Sequence, residues 1–109
     1  MDTVVACATP WGRGAIAVLR LSGPAAQPLA AALCPDGPKW RPRRAQLRRA
    51  LAEDGSPLDE VLVTWMPGPR SSTGEDTVEL SCHGNPVIVE AILSALVARG
   101  ARPARPGEI

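Results

Sequence analysis

The chain has to build its hydrophobic core without phenylalanine or tyrosine. Trp11, Trp40 and Trp65 are its only aromatic residues, so valine, isoleucine, leucine and alanine must fill the interior. With twelve prolines and ten glycines among 109 residues, the sequence predicts one small domain over residues 1–109. A chain of this size buries about 65% of the surface that its unfolded form exposes. We therefore expect a shallow core that a partner surface would help to stabilise.

Basic residues are concentrated in one segment of a nearly neutral chain. Lys39 to Arg49 holds six basic residues and no acidic one, whereas the formal net charge of the whole chain is +1. Arginines can contact the phosphates of a nucleic acid, although Trp40 is the only aromatic residue in this segment that could stack on bases. Direct binding of a nucleic acid by residues 39–49 is therefore one hypothesis for function.

Missing residues argue against several familiar kinds of site. Lys39, the only lysine, is followed by tryptophan, so the Gly-Lys-Ser/Thr loop that binds GTP or ATP cannot form. Cys7, Cys34 and Cys82 include no Cys-x-x-Cys pair and His83 is the only histidine, so no metal site is expected. We interpret the cysteines as reduced, buried thiols of a cytoplasmic protein. The N-terminus lacks the basic start of a signal peptide, and no apolar run is long enough to span a membrane.

Hydrophobic alternation and turn residues predict elements in the order ββαβββα. Strands are expected at residues 3–9, 15–21, 44–53, 58–66 and 77–83, with a short alanine-rich helix that runs to Leu33 and a second helix from Pro86. Residues 44–53 fit a strand or a helix, and the strong strand at 58–66 favours a hairpin. Residues 102–109 could begin another strand. This order predicts an α/β (α+β) fold with two helices on one face of a mainly antiparallel mixed sheet, whose other face needs a cover.

Turn residues predict how two of these elements begin. Gly12 and Gly14 supply positive backbone φ angles for a hairpin-type loop between the first two strands. Asn85 is expected to cap the second helix, with Pro86 in its first turn and Gly100 at its end. The apolar stripe of this helix is predicted at Ile88, Ile92, Ala95 and Leu96.

Two charged residues interrupt apolar strands. Arg20 lies within residues 16–21 and Glu79 lies between Val78 and Leu80. A charge in such a strand is costly unless it is paired or directed at a ligand. The two residues could form an ion pair or occupy exposed sheet positions. Alternatively, they anchor a ligand that carries both an acidic group and ring N–H donors.

Cys82 and His83 are adjacent and could suggest a nucleophile with its base. Neighbouring side chains of a strand point to opposite faces, so these two cannot hydrogen-bond in the usual way. A structural role is therefore the better interpretation. We expect His83 to orient the turn between strand and helix or to contact a ligand above it.

Three blocks of residues carry a more specific signal. They are 3–23, 67–84 and 104–108, and the second includes Ser71-Ser72-Thr73-Gly74-Glu75-Asp76 and is followed by Asn85-Pro86. In order and spacing they resemble the N-terminal domain of the tRNA-modification GTPase family MnmE, also called TrmE. The resemblance covers essentially the whole chain but only one domain of that family.

The resemblance implies a folate-binding α/β domain that forms a homodimer and binds 5-formyltetrahydrofolate, or a related tetrahydrofolate, near the dimer interface. Full-length members work with MnmG to install an aminomethyl-type group at carbon 5 of the wobble uridine of certain tRNAs, and GTP hydrolysis drives a conformational change. The family's folate-contacting arginine and glutamate fall on Arg20 and Glu79. We take His83 and Glu75 as further candidates for cofactor binding.

The chain departs from the family pattern at three positions. Ser72 replaces an aromatic residue, Asn85 replaces a second glycine, and Ile109 replaces a phenylalanine that precedes a helical segment carrying a folate-binding lysine. The GTPase domain, the central helical domain and the C-terminal cysteine motif are outside this sequence. We therefore expect no enzymatic activity from this chain alone.

The leading hypothesis is a stand-alone or truncated domain that dimerises, binds a tetrahydrofolate and contacts tRNA only indirectly or weakly. The first alternative is a nucleic-acid-binding or assembly module that uses residues 39–49. The second is a gene fragment with no independent role.

Overall fold

A computed structural model describes residues 2–10 and 12–109, so Met1 and Trp11 lie outside the described part. The elements are β1 (Val4–Cys7), β2 (Ile16–Ser22), α1 (Ala26–Leu33), β3 (Gln46–Leu51), β4 (Pro57–Met66), β5 (Thr77–His83), α2 (Pro86–Ala98) and β6 (Arg102–Pro103). The predicted order is confirmed, and residues 46–51 are a strand rather than a helix. A short further strand begins at Arg102. Neither described helix is long and apolar enough to cross a membrane.

The strands form one six-stranded sheet in the order β3-β4-β5-β2-β1-β6. Every neighbouring pair is antiparallel except β1 and β6, which are parallel. The predicted α+β fold with a mainly antiparallel mixed sheet is therefore confirmed. β2 and β5 lie at the centre and are paired along their full lengths, from Ile16 opposite His83 to Ser22 opposite Thr77.

One face of the sheet carries both helices and the core. In β2 and β5 the buried apolar side chains alternate with more exposed ones, which is the period of a half-buried strand. The buried set meets small and branched side chains from the helices. The core of the described chain includes Ala17, Leu19, Leu21, Val61, Val63, Val78, Leu80 and Cys82 from the strands, and Ala26, Ala30, Leu33, Val89, Ile92, Ala95 and Leu96 from the helices.

Helix α2 begins as predicted but faces the core through a slightly different stripe. The Asn85 side chain accepts a hydrogen bond from the Val87 N–H at 2.8 Å, and Pro86 is the first helical residue. Val89 is buried, whereas Ile88 is only half-buried against the core. Both residues stand at helical spacing from Ile92, so periodicity alone does not distinguish them. Packing on the sheet selects Val89.

The loop between β1 and β2 uses its two described glycines differently from the prediction. Gly12 has a φ of 123°, as expected, but Gly14 does not have a positive φ. Instead, the Gly14 N–H donates to the Gly84 carbonyl at 3.0 Å. A Cβ atom on Gly84 would lie 2.2 Å from the Gly14 oxygen, so only glycine permits this approach. The contact attaches the loop to the end of β5.

The opposite face of the sheet, here called the open face, has no described helix over it. It presents Leu47, Leu62, Thr64, Glu79, Ser81, Ile16, Val18 and Arg20. Three large apolar side chains are prominent on it, since Ile16 is 62%, Leu47 65% and Leu62 47% exposed. Leu47 and Leu62 stand directly opposite each other on β3 and β4. The open face is therefore apolar towards one end of the sheet.

Candidate functional site

Arg20 and Glu79 come together at the centre of the open face. The register of β2 and β5 places the two residues directly opposite each other. Arg20 Nε and Nη2 donate to the same carboxylate oxygen, Glu79 Oε2, at 2.9 and 2.5 Å. The ion pair that the sequence allowed is therefore present. Thr64 on β4 and Ala6 on β1 stand beside it in the same row.

The pair keeps unused hydrogen-bonding capacity. The Arg20 and Glu79 side chains are 27% and 32% exposed, so both remain accessible from solvent. Within the described part of the chain, neither Glu79 Oε1 nor Arg20 Nη1 has a hydrogen-bond partner, because both bonds of the pair use Oε2. A guanidinium offers five N–H donors and a carboxylate about four acceptor positions. A ligand can therefore bind both residues without separating them.

Glu75 lies near this pair, but its carboxylate has a structural partner. Ser22 Oγ donates to Thr73 Oγ1 at 2.8 Å and also lies 3.2 Å from Glu75 Oε1. Ser22 and Thr77 are fully buried, and they stand opposite each other two residues beyond Arg20 and Glu79. The loop of residues 67–76 thus covers this end of the open face, where it forms a wall beside the pair. Sequence reasoning did not predict this polar network.

His83 lies at the other end of β5 and is fixed by a residue that sequence reasoning missed. Its Nδ1 is 2.7 Å from Asp59 Oδ1, and its backbone N–H donates to Asp59 Oδ2 at 2.8 Å. The Asp59 side chain is only 9% exposed, whereas that of His83 is 70% exposed. His83 and Glu79 are four residues apart on one strand, which corresponds to about 13 Å. The imidazole therefore borders a separate shallow depression of about 370 Å³, lined also by Ile16, Leu47 and Leu62.

Cys82 and His83 lie on opposite faces of β5, as strand alternation predicts. The Cys82 side chain is 3% exposed in the core, while His83 points away from it. Burial raises the pKa of the Cys82 thiol to about 11, so the nucleophilic thiolate is scarce at neutral pH. Cys34 is buried as predicted, with its pKa also raised to about 11 by burial, but Cys7 is only half-buried. In residues 2–10 and 12–109 no histidine, cysteine and carboxylate side chains form a group that could hold a metal ion.

Within residues 39–49, Trp40 and Arg48 are buried, whereas the other basic residues are exposed. Arg48 is 5% exposed and donates from Nη1 to the Asp36 carbonyl at 2.9 Å and from Nη2 to the Pro38 carbonyl. Its guanidinium carbon lies 5.5 Å from the centre of the Trp40 ring, which is itself buried. Trp40 and Arg48 therefore anchor a loop and are not available to a nucleic acid. Strand alternation with Ala50, which faces the core, is the signal that could have revealed this.

Comparison with known proteins gives one family over almost the whole chain. The family model for the N-terminus of the GTP-binding protein TrmE matches residues 3–109. A tRNA modification GTPase MnmE from Alkalilimnicola ehrlichii is 52% identical over 97% of this chain and 23% of the relative. Those from Sodalis glossinidius and Thermotoga maritima are 49% and 46% identical, over 98% and 99% of this chain and 23% and 24% of the relatives. The chain thus spans about a quarter of the length of these curated relatives.

Proposed function

The chain belongs to the family of TrmE N-terminal domains, and we propose that it binds a tetrahydrofolate at Arg20 and Glu79 and pairs with a second copy through its open face. The observation that carries this proposal is the partly exposed Arg20–Glu79 pair at the centre of the open face, over which no described helix lies.

The chemistry of the pair suits both ends of a folate-like ligand. The Arg20 guanidinium can bind a carboxylate or a ring carbonyl, and Glu79 can accept hydrogen bonds from the N–H groups of a pterin ring. Glu79 Oε1 and Arg20 Nη1 are the atoms positioned for this, since neither has another partner in the described part of the chain. Glu75 and His83 would border the ligand at opposite ends rather than anchor its centre.

Pairing with a second copy would cover apolar surface that the helices leave exposed. Leu47 and Leu62 stand opposite each other on the open face, and Ile16 lies across the sheet from them. Burial of apolar surface is worth about 25 cal/mol for each Å² removed from water. A dimer would also compensate for a core that contains no phenylalanine or tyrosine.

The larger biological role follows from the relatives. They are tRNA modification GTPases, so we propose that this domain serves the same process, as a one-carbon donor site for carbon 5 of a wobble uridine, with MnmG as a partner and in the cytoplasm. GTP hydrolysis would belong to the rest of a full-length protein, because the matched relatives are about four times as long.

Calorimetric titration with 5-formyltetrahydrofolate tests the ligand assignment. We expect saturable heat with the wild-type chain and at least tenfold weaker binding for Arg20→Ala and for Glu79→Gln. Arg105→Ala is the matched control, because Arg105 is an exposed arginine that follows the edge strand β6, away from the Arg20–Glu79 pair. Equal heats for wild type and Arg20→Ala, or no heat for either, would contradict the proposal.

Sedimentation velocity tests the pairing. We expect Leu62→Lys to shift the chain towards monomer, because a charge would have to be buried in the interface. Val87→Lys is the control, since Val87 is 75% exposed on α2, on the helix side of the sheet. A wild-type chain that stays monomeric at every concentration, or equal dimerisation of both variants, would rule out an interface on the open face.

A further inference from the structure

We propose that four basic residues of one loop, together with Arg70, form a surface that binds RNA phosphates beside the Arg20–Glu79 pair. The loop residues are Lys39, Arg41, Arg43 and Arg44, and we call the five residues the basic loop surface. The choice of RNA rests on the proposed function, whereas the surface itself rests on the geometry described next.

All five side chains of the basic loop surface are exposed. The ion pairs found in the described part of the chain involve Arg20, His83 and Arg102, so none of the five is neutralised by a carboxylate there. Their positive charge is therefore directed at solvent. Arginine guanidinium groups match phosphate oxygens well, because they can form two parallel hydrogen bonds.

Buried side chains fix the position of the loop that carries Lys39, Arg41, Arg43 and Arg44. Trp40 and Arg48 are buried beneath it, and Arg48 binds the Asp36 and Pro38 carbonyls at the start of the segment. The Arg41 N–H donates to the Gln46 side chain at 2.9 Å. Because the internal residues fix the backbone, the outward arginines need little further ordering before they bind a ligand.

Arg43 adopts a backbone conformation that is unusual for its residue type. Its φ is 62°, and it is the one non-glycine residue with a positive φ in residues 2–10 and 12–109. Such a conformation is strained for a residue other than glycine and persists only when neighbouring contacts impose it. The Arg43 N–H donates to the Trp65 carbonyl at 2.8 Å, and its Nη2 donates to the Pro67 carbonyl at 3.2 Å. These bonds join the basic loop to the loop that carries Arg70.

The surface lies close to the proposed ligand site. Strand β4 passes from Thr64, which stands opposite Glu79, to Met66 and then to Pro67, the partner of Arg43. Three residues of extended strand span about 10 Å. An RNA strand bound through its backbone at the basic loop surface would therefore lie about 10 Å along β4 from the Arg20–Glu79 pair, within reach of a ligand bound there.

RNA fits this surface better than a lipid membrane does. A membrane-binding segment combines basic residues with exposed large apolar ones. Residues 39–45 expose no large apolar side chain, because Trp40 is buried and the rest are basic residues, proline and alanine. The matched relatives are also tRNA modification GTPases, which act on an RNA.

Fluorescence anisotropy with labelled tRNA between 50 and 200 mM KCl tests this proposal. We expect the double variant Arg41→Gln/Arg44→Gln to bind at least tenfold more weakly at 100 mM KCl. The salt dependence of log K should also fall by about two units of slope, because two phosphate contacts are lost. Arg13→Gln/Arg105→Gln removes the same charge from exposed positions outside the basic loop surface, in the loop that follows β1 and in the segment that follows β6, and should stay within twofold of wild type.

Equal losses in both double variants, or none in either, would overturn the proposal. It would also be overturned if Arg41→Gln/Arg44→Gln abolished binding to phosphatidylserine vesicles while leaving tRNA binding unchanged. Titration of the same variants with 5-formyltetrahydrofolate separates this proposal from the proposed function. We expect these variants still to bind 5-formyltetrahydrofolate. A variant that loses tRNA binding but keeps folate binding would support the RNA-binding surface and leave the proposed folate site unaffected.

Discussion

The two faces of the sheet use an arginine in opposite ways. On the helix side, Arg48 is almost fully buried, pairs with no carboxylate among the described residues and donates to two backbone carbonyls. On the open face, Arg20 is about a quarter exposed, and its partner is the side chain of Glu79. Arg48 binds groups of its own loop and leaves no surface for a ligand. Arg20 and Glu79 leave donor and acceptor atoms directed at solvent.

The difference shows that an arginine within a strand does not by itself mark a binding site. Arg48 belonged to the segment considered for nucleic-acid binding, yet it is part of the interior. Its Nε atom is buried without a partner among the described residues, so its role depends on the two carbonyl bonds and on Trp40. Accessibility and a partner with spare hydrogen-bonding capacity are what distinguish the open-face pair.

The largest expected difference in the free energy of unfolding is between two leucine-to-alanine variants, one on each face of the sheet. Leu80 is fully buried on the helix side, and Leu80→Ala should lower the free energy of unfolding by about 2–5 kcal/mol. Leu62 on the neighbouring strand is 47% exposed, so Leu62→Ala should cost about 1 kcal/mol or less in dilute solution. Urea denaturation followed by circular dichroism measures both.

Protein concentration sharpens that comparison. If a second copy covers the open face, the cost of Leu62→Ala should rise with protein concentration, whereas that of Leu80→Ala should not. If both variants lost the same free energy of unfolding at low protein concentration, the two faces would be equally buried, and the comparison would fail.

A smaller effect is expected from removing the buried arginine. Arg48→Ala should lower the free energy of unfolding by about 3 kcal/mol, because two carbonyls lose a charged donor. Arg48→Lys should recover only part of the loss, since one ammonium group does not reproduce the geometry of a guanidinium. The adjacent Arg49 is exposed, and Arg49→Ala should cost about 0.5 kcal/mol or less. Equal midpoints of urea unfolding for Arg48→Ala and Arg49→Ala would contradict a structural role for Arg48.

Local sequence signals were sufficient for most of the fold. Thr77–His83 is a strand at the predicted bounds, and Asn85 and Pro86 begin α2 as their capping chemistry predicts. These signals are local, because alternation and capping depend on residues a few positions apart. Both charged strand residues, Arg20 and Glu79, were also identified from their apolar neighbours alone. That they bind each other depends on the register of β2 and β5, which the sequence does not specify locally.

The parts that were missed depend on contacts between distant segments. Asp59 binds His83 across 24 positions, and Ser22 meets Glu75 across 53. Gly14 lacks the predicted positive φ, because its function is a close contact with Gly84. Arg48 was included with the outward arginines although strand alternation places it with Ala50. The partners of Asp59, Ser22 and Gly14 lie on other elements, so neither composition nor periodicity identifies them, whereas periodicity does identify the buried position of Arg48 but not its carbonyl partners.

The smallest expected effect concerns a third arginine, Arg102 on the edge strand β6, whose ion pairs are exposed. Arg102 binds Asp2 and both carboxylate oxygens of Glu108. Hydrogen bonds from Arg102, and then from the Arg105 N–H, lower the pKa of Glu108 from its usual 4.5 to about 2. A carboxylate with a lowered pKa stabilises the fold above its unfolded-state value, and this stabilisation is lost as the pH falls from about 4.5 to about 2. In urea titrations, wild type should therefore exceed Glu108→Gln in stability at pH 7 and lose much of that advantage by pH 3. An advantage that does not change with pH would show that Arg102 and Glu108 make no ion pair of consequence in solution.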